Sequence, residues 1–297
     1  MDGSGDPVPA EKDSTDEASH GITQLSLRKD EEYYNMQMKK NRGMAVIFAY
    51  SEYKANRCPE RKRAKNDVII CKTSFERLQY NVTVHWNLIK KSFLNELIKI
   101  CEADHSECDS LVVIFMSHGG IDEKTNLEFL ETFDLKVNTI ELWKKVTPEK
   151  CPTLAGKPKM FFIQACRGAD ADEGIQLKKT NIGMSVQTDT IRLGSMHAEE
   201  DEEDYSIPLY ADLLIMWASY SGMVSHNTVR KGINGSVFLH FLCKTLDENA
   251  EHEDLSSMLL RIKRQVATEF ESNYPGSKKQ IPQVLSTLMR KVLFYDK

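Results

Sequence analysis

Two short apolar runs constrain the fold of this chain more than any other feature of its sequence. They are residues 111–116 (LVVIFM) and residues 160–163 (MFFI). Uninterrupted apolar runs of this length are typical of strands that are buried on both faces of a parallel sheet. The residues between them suffice for one crossover connection, so the two strands can lie side by side in one sheet.

A reactive side chain follows each apolar run. His118 stands in SHGG after the first run, and Cys166 stands in QACRG after the second, 166 − 118 = 48 residues later. Because α/β proteins bind ligands at the carboxyl ends of their parallel strands, we expect His118 and Cys166 to meet there. A lone cysteine or histidine at a strand end usually has only a structural role. Here each is the polar reactive group after an apolar run and has a glycine nearby, which favours a functional role.

A cysteine and a histidine within hydrogen-bond distance can carry out nucleophilic acyl transfer. In that chemistry the thiolate of Cys166 attacks a carbonyl carbon, and the imidazole of His118 protonates the departing amine and then activates water. The oxygen that becomes negative needs two backbone N–H donors, for which Gly119 and Cys166 are the candidates. Gly119 has no Cβ, so its backbone can approach the substrate closely. No Asp or Asn is evident as a partner for the imidazole, and we expect a backbone carbonyl to orient it.

The rest of the chain alternates between strand patterns and helix patterns. Apolar runs predict further strands at 43–50, 81–85 and 213–218, and another within 284–294. Apolar residues at helical spacing predict helices at about 67–80, 86–101, 139–146, 236–246 and 255–271. This alternation indicates an α/β fold, in which a parallel sheet has helices on both faces.

Size and composition limit the function classes. The chain has 297 residues, enough for one large α/β domain or two small ones. Its formal net charge of -5 argues against general affinity for nucleic acid or anionic membranes. No apolar run approaches the roughly 20 residues of a membrane span, and the N-terminus lacks the pattern of a signal peptide. The seven cysteines include no C-x-x-C pair, so we expect reduced thiols, no metal or cofactor, and a cytoplasmic location.

Two segments lack structural signals. Residues 1–30 are polar and acidic, and we expect them to form a disordered leader. Residues 168–206 contain few large apolar residues, and the acidic run 199–204 lies near their end. A tract of that length is unusual inside a compact domain, so we expect an exposed linker that proteases can reach.

A larger set of short motifs accompanies these features. QACRG with a histidine about 50 residues upstream is a known signature of the caspases, and from about Asn41 to its C-terminus the chain resembles an effector-type caspase. Matching stretches are RG at 42–43, LAGKPK at 154–159, IP at 207–208, AD at 211–212, GSVF at 235–238, VATEFES at 266–272 and KQIP at 279–282. The resemblance implies a caspase-like three-layer sandwich, in which helices cover both faces of a mostly parallel six-stranded sheet. It also implies a cysteine endopeptidase that cuts after aspartate and acts in apoptosis.

The resemblance further implies a zymogen with one caspase domain. A short disordered propeptide (1–30) would precede a large catalytic subunit (31–189), which ends in linker from about 169. An acidic intersubunit linker (190–206) and a small subunit (207–297) would follow. Asp189, in VQTD, is the candidate for the activating cut. Weaker cleavage candidates are Asp172 and Asp204 in the linker region and Asp13, Asp16 and Asp30 in the leader.

Partners are implied in the same way. They are protein substrates with an exposed aspartate, an upstream caspase that activates the zymogen, and inhibitor-of-apoptosis type proteins. A second large/small pair would complete a homodimer. No cofactor, nucleic acid or membrane partner is expected.

A pocket for a substrate aspartate needs fixed positive charge. Arginine suits a carboxylate better than lysine does, because two of its N–H groups can face the two oxygens. The resemblance gives this role to Arg61, to Gln164 of QACRG and to a second arginine just before Gly235. Arg63 competes with Arg61, because the loop departs from the family pattern immediately after Arg61.

Two alignments give different residues at the second arginine position. Counting back from Gly235 gives Arg230, preceded by Thr228-Val229 where the family has Ser-Trp, whereas counting forward from Ala211-Asp212 gives Asn227. We favour Arg230, because each hydrogen bond to a charged group contributes roughly 1.5–3 kcal/mol that asparagine would not fully supply. The missing tryptophan predicts an altered pocket for the substrate residue next to the aspartate.

Two other functions compete with that of a protease. The altered arginine loop and the three-residue insertion before Arg230 fit a decoy caspase that keeps the fold, cleaves poorly and regulates an active relative by binding. The intact His118, Gly119, Gln164 and Cys166 argue against that alternative. A metal-binding or papain-like protein is disfavoured, because neither metal-ligand spacing nor a papain-type cysteine context is present.

Overall fold

The computed structural model describes residues 32–36, 41–175, 207–230, 232–272 and 278–295. Strands and helices alternate along most of these ranges. The helices are α1 (Ala64–Arg77), α2 (Lys90–Glu102), α3 (Thr139–Trp143), α4 (Val237–Asn249) and α5 (Leu255–Glu269). The strands are β1 (Asn41–Ala49), β2 (Asn81–Trp86), β3 (Cys108–Met116), β4 (Gly119–Ile121), β5 (Glu128–Glu131), β6 (Lys136–Asn138), β7 (Lys159–Gln164), β8 (Leu213–Trp217), β9 (Asn227–Arg230), β10 (Ile233–Ser236) and β11 (Gln283–Ser286).

The central sheet has six strands in the order β11-β8-β7-β3-β1-β2. Every pairing in it is parallel except that of β11 with β8. The two apolar strands β3 and β7 are neighbours, and their register runs from Leu111↔Lys159 to Met116↔Gln164. The predicted sheet and the predicted contact between its two apolar strands are therefore confirmed.

Helices cover both faces of the sheet, because side chains of each strand point alternately to one face and the other. On one face α1, α4 and α5 pack with residues such as Ile47 and Phe162. On the other face α2 and α3 pack with a second set that includes Phe48 and Phe115. Phe93 of α2 meets the rings of Phe48 and Phe115 edge-on, at centroid distances of 4.8 and 5.2 Å. The result is the three-layer sandwich that the resemblance implies.

Two stretches without a predicted element contain short strands. β4, β5 and β6 form a small antiparallel sheet directly after His118, and β9 and β10 form a hairpin before α4. Each of these strands has only 3 or 4 residues. Such strands are too short for an alternating pattern to show in the sequence.

The helix predicted to begin near residue 86 begins later. Trp86 is still paired with Ala49 as the last residue of β2, and α2 starts at Lys90. Between them Asn87 has φ of 50°, a left-handed conformation that ends the strand. Apolar spacing alone does not separate the strand end from the helix, because Trp86 falls on the helical spacing although it ends the strand and is exposed.

Parts of the sequence prediction lie outside the described residues. These parts are the propeptide, most of the linker, and the cleavage candidates Asp13, Asp16, Asp30, Asp189 and Asp204. None of the helices named above has the length and the apolar character needed to span a membrane.

Arg42 is a buried charge that joins both ends of the described chain to the sheet. Its Nε donates to Leu78 O at 3.2 Å, its Nη1 donates to Met36 O at 2.6 Å, and its Nη2 donates to Phe294 O. The Asp109 carboxylate lies 3.6 Å from Nη1. Because a buried guanidinium is very costly without partners, these contacts make the first strand depend on both terminal segments.

Replacing Arg42 with methionine should destabilise the fold strongly. R42M keeps much of the side-chain volume but removes the donors to three carbonyl groups and the cation beside Asp109. Removing one partner of a buried ion pair costs about 3–5 kcal/mol, and we expect a loss of that size in the free energy of unfolding measured in urea. The control is R261M, because Arg261 forms a partly exposed ion pair with Glu253, worth less than about 1 kcal/mol. Equal losses in the two variants would contradict this role of Arg42.

Candidate active site

His118 and Cys166 lie at the same edge of the sheet. Each stands two residues beyond the end of its strand, and the register of β3 with β7 continues past Met116↔Gln164 through Ser117 N–H, which donates to Gln164 O at 3.0 Å. A Cβ added to Gly119 would lie 2.8 Å from Cys166 O. The backbone after His118 therefore packs directly against Cys166, and the structure brings the two predicted residues together.

A backbone carbonyl orients His118. The imidazole Nε2–H donates to Pro59 O at 2.8 Å, and the backbone N–H of His118 donates to Tyr53 Oη at 3.3 Å. Burial of the ring lowers the pKa of His118 below its usual value, the hydrogen bond to Pro59 opposes this shift, and the positive charge of Arg61 adds to it. The imidazole is therefore neutral near pH 7, and Nδ1 is the ring atom left to accept a proton.

Cys166 is half-buried and its sulfur contacts one residue of the chain segment after β8. The backbone N–H of Ser225 donates to Cys166 Sγ at 3.3 Å, and Ser225 Oγ lies 3.6 Å from the sulfur. Within the described ranges the N–H of Cys166 itself donates to no main-chain acceptor. That N–H and the adjacent Gly119 remain the candidates for binding a negative oxygen.

Arg167 and Gly168, the two residues after Cys166, are held in place by contacts with other parts of the chain. The guanidinium of Arg167 lies 2.6 Å from Glu128 and over the ring of Trp217, 4.6 Å from its centroid. A Cβ added to Gly168 would lie 1.9 Å from Gly222 O. Glycine is required here by the close approach of two backbones, which explains why QACRG ends in glycine.

Two of the predicted pocket residues, Arg61 and Gln164, lie buried near this edge. Arg61 Nη1 donates to Tyr50 O at 2.9 Å, and its Nη2 lies 3.5 Å from the Asp67 carboxylate. Gln164 Nε2 donates to Ser225 Oγ at 3.1 Å. Gln164 thereby contacts the same serine that contacts the sulfur of Cys166.

The hairpin of β9 and β10 determines where the alternatives for the second arginine lie. Asn227 pairs with Ser236, whose hydroxyl donates to Gln164 Oε1, whereas Arg230 pairs with Ile233 at the turn. Three residues along a strand correspond to about 10 Å. The register thus places Asn227, and not Arg230, at the level of Gln164, and both residues are exposed.

Arg230 and Asn227 both line a cleft of about 370 Å³, together with Arg63, Thr228 and Phe270. His226 also lines the cleft, where the sequence predicted an altered pocket. Its backbone N–H donates to Gln280 Oε1 at 2.7 Å, and its ring lies 5.2 Å from that of Phe270. Burial lowers the pKa of His226, so a neutral imidazole faces the cleft.

Sequence reasoning did not select Pro59 or Ser225 as site residues. Pro59 acts through its carbonyl, which carries no side-chain signal. Ser225 could have been found, because counting forward from Ala211-Asp212 places it where the family has the serine of Ser-Trp. Among the described residues, no group of three or more His, Cys, Asp or Glu side chains is arranged to hold a metal ion.

Comparison with known proteins agrees with this geometry. The family model described as the caspase domain matches residues 42–294. Caspase-1 of Spodoptera frugiperda is 33% identical over 302 residues, which cover 99% of this chain and 92% of that protein. Caspase drICE of Drosophila melanogaster is 32% identical over 270 residues, 89% of this chain and 73% of drICE. Caspase-3 of Xenopus laevis is 31% identical over 253 residues, 85% of this chain and 80% of that protein.

A solved structure is similar over nearly the whole chain. The crystal structure of caspase-1 from Spodoptera frugiperda superposes with a TM-score of 0.77 at 32% identity, covering 92% of this chain and 99% of that one. The motifs, the sheet order and the positions of His118 and Cys166 point to the same family. The chain therefore belongs to the caspases, cysteine-type endopeptidases that cleave after aspartate.

Proposed function

We propose that this chain is an effector-type caspase that acts in apoptosis and is made as a zymogen. The observation that carries the proposal is the placement of His118 and Cys166 at the ends of neighbouring parallel strands, with Gly119 packed against Cys166. The similarity to drICE and caspase-3 over most of the chain supports the caspase part of this proposal, and the effector type rests on the sequence motifs.

The proposed mechanism uses each of these groups in turn. His118 Nδ1 takes the proton of the Cys166 thiol, and the sulfur attacks the main-chain carbonyl carbon of the substrate aspartate. The N–H groups of Gly119 and Cys166 bind the oxygen that becomes negative. His118 then returns the proton to the leaving amine, and in the second half of the reaction it activates the water that hydrolyses the thioester.

Replacing Cys166 should abolish cleavage while leaving the fold intact. The wild-type chain, expressed alone, should cut itself after Asp189 and then cleave the peptide Val-Gln-Thr-Asp-Thr, and C166A should do neither. The control is C108A, because Cys108 is a half-buried thiol at the start of β3. Gel mobility and peptide hydrolysis measure both steps.

Two outcomes would contradict the proposal. Cleavage by C166A would overturn the assignment of the nucleophile. A wild-type chain that cleaves nothing, even after another protease has cut its linker, would favour the decoy function.

We place the substrate aspartate against Arg61 and Gln164, with Arg230 as the second arginine and Thr228 beside it in the cleft. The two arginines would strengthen binding of the substrate carboxylate, because a carboxylate binds best to charged donors in fixed positions. Arg230 lies near the turn of the β9–β10 hairpin, so this placement requires the hairpin to move toward Gln164 when substrate binds.

Replacing Arg230 tests that placement. R230A should raise KM for a peptide cleaved after aspartate by about tenfold to a few hundredfold, the effect of losing one or two hydrogen bonds to a charged group. N227A should change KM little. If N227A raises KM and R230A does not, the second position belongs to residue 227 and Arg230 lies outside the pocket.

Activation is proposed to occur at Asp189, between a large subunit (31–189) and an acidic linker (190–206) that precedes the small subunit (207–297). The weaker candidate Asp172 is less suited, because its carbonyl accepts from Lys279 N–H at 2.8 Å and its Oδ1 accepts from Gly174 N–H at 2.9 Å. A tethered backbone does not extend easily into a protease cleft. Removal of the propeptide (1–30) would be a separate cut.

The proposed partners follow from the same assignment. They are protein substrates with an exposed aspartate, an upstream caspase and inhibitor-of-apoptosis type proteins, in the cytoplasm. We also propose a homodimer of large/small pairs. β11 supports it, because this strand forms one edge of the sheet and Leu285 on it is 53% exposed. Exposed strand edges and apolar side chains favour association.

A further inference from the structure

Asp67 is a buried carboxylate at the start of α1 that belongs to none of the sequence motifs. It is 1% exposed. Its side chain contacts two parts of the chain that are far apart in sequence, the arginine loop before α1 and the start of β10–α4. Buried carboxylates require such partners, because desolvation of the charge is costly.

The first partner is Arg61. Its Nη2 lies 3.5 Å from Asp67 Oδ2, and the two side chains are 6% and 2% exposed. The other guanidinium nitrogen, Nη1, is held by Tyr50 O at 2.9 Å. Asp67 therefore supplies the counter-charge that allows Arg61 to stay buried in one orientation.

The second partner is the backbone at the start of α4. Asp67 Oδ1 accepts from Ser236 N–H at 2.7 Å, across 169 residues of sequence. A Cβ added to Gly235 would lie 2.2 Å from Oδ1, so the carboxylate packs directly against the backbone of Gly235. Ser236 in turn donates its hydroxyl to Gln164 Oε1.

We propose that Asp67 is a positioning residue for the aspartate pocket. Its carboxylate holds Arg61, which belongs to the large-subunit part. It also holds Ser236 in the small-subunit hairpin, and Ser236 in turn orients Gln164. This inference rests on the proposed function, because it assumes that Arg61 and Gln164 receive the substrate aspartate. Asp67 touches neither substrate nor the reacting atoms and acts through these neighbours.

The charge of Asp67 makes the pocket sensitive to pH. Burial raises the pKa of Asp67 to about 6, while the Ser236 N–H and the charges of Arg61 and Arg63 oppose the shift. The groups that face Asp67 are these two arginines from the preceding loop, the Cys71 thiol on its own helix and the Ser236 amide from β10. Above pH 6 the carboxylate is charged and holds Arg61; as pH falls through 6 it becomes neutral and this hold is lost.

The test is the steady-state kinetics of the linker-cleaved enzyme, wild type and D67N, on a fluorogenic peptide with the sequence Val-Gln-Thr-Asp. At pH 7.5 we expect D67N to raise KM about tenfold, the effect of one lost charge-assisted contact, with kcat within about twofold. In the wild type KM should rise about fivefold between pH 7.5 and pH 5, because about a tenth of the carboxylates with a pKa of about 6 are still charged at pH 5. In D67N KM should stay high and nearly constant over that range. The substrate aspartate, with an ordinary pKa near 3.9, stays mostly charged throughout.

A matched variant separates positioning from stability. Asp109 is also a buried carboxylate, and it lies 3.6 Å from a buried arginine, Arg42, away from the site. D109N should lower the melting temperature but leave KM and its pH dependence unchanged. D67E keeps the charge and should recover part of the lost affinity, which a purely structural role would not require.

The kinetic results distinguish a failure of the proposed role of Asp67 from a failure of the proposed protease function. An unchanged or lower KM in D67N, or an equal rise of KM in D109N, would overturn the role of Asp67 while leaving the protease assignment intact. If D67N does not fold, a wild-type KM that is constant between pH 7.5 and pH 5 would overturn it as well. A wild type that cleaves no aspartate peptide would overturn the proposed function, and this inference with it.

Discussion

The parallel pairing of β3 with β7 is the interaction on which the site depends. Its register sets Met116 opposite Gln164, and so places the residues that follow, His118 and Cys166, at one edge of the sheet. Side chains along a strand alternate between faces, so a slip of one residue would turn one of the two away from the other. The apolar side chains that hold this register are fully buried in the two cores, which means that packing of the sandwich fixes the catalytic geometry.

The features that could be predicted from the sequence are those with a long or regular signal. The apolar runs of β3 and β7 predict the paired strands, and the reactive residues after them predict the site. The features that could not be predicted depend on backbone groups and on short elements. Pro59 orients His118 through its carbonyl, and Ser225 reaches Cys166 by the path of the segment after β8. The sequence predicts that a backbone carbonyl orients His118, but neither residue type nor periodicity identifies it as that of Pro59 or shows that Ser225 contacts the sulfur.

In the proposed pocket for the substrate carboxylate, the motifs select residues but do not determine how their side chains are oriented. Gln164 belongs to QACRG, and Arg61 lies in a loop that the resemblance selects. Their orientations are set by Asp67 and Ser236, which lie in separate parts of the chain. The position of the second arginine depends on the register of a hairpin whose strands have 4 residues each, and counting along the sequence does not determine that register.

A crystal structure of the enzyme reacted with a peptide aldehyde that ends in aspartate would test the central claim most directly. We expect a covalent bond from Cys166 Sγ to the aldehyde carbon, with the former aldehyde oxygen bound by the N–H groups of Gly119 and Cys166. We also expect the aspartate carboxylate to contact Arg61 and Gln164. A bond to another residue, or an aspartate side chain that points to solvent and contacts neither Arg61 nor Gln164, would contradict this assignment.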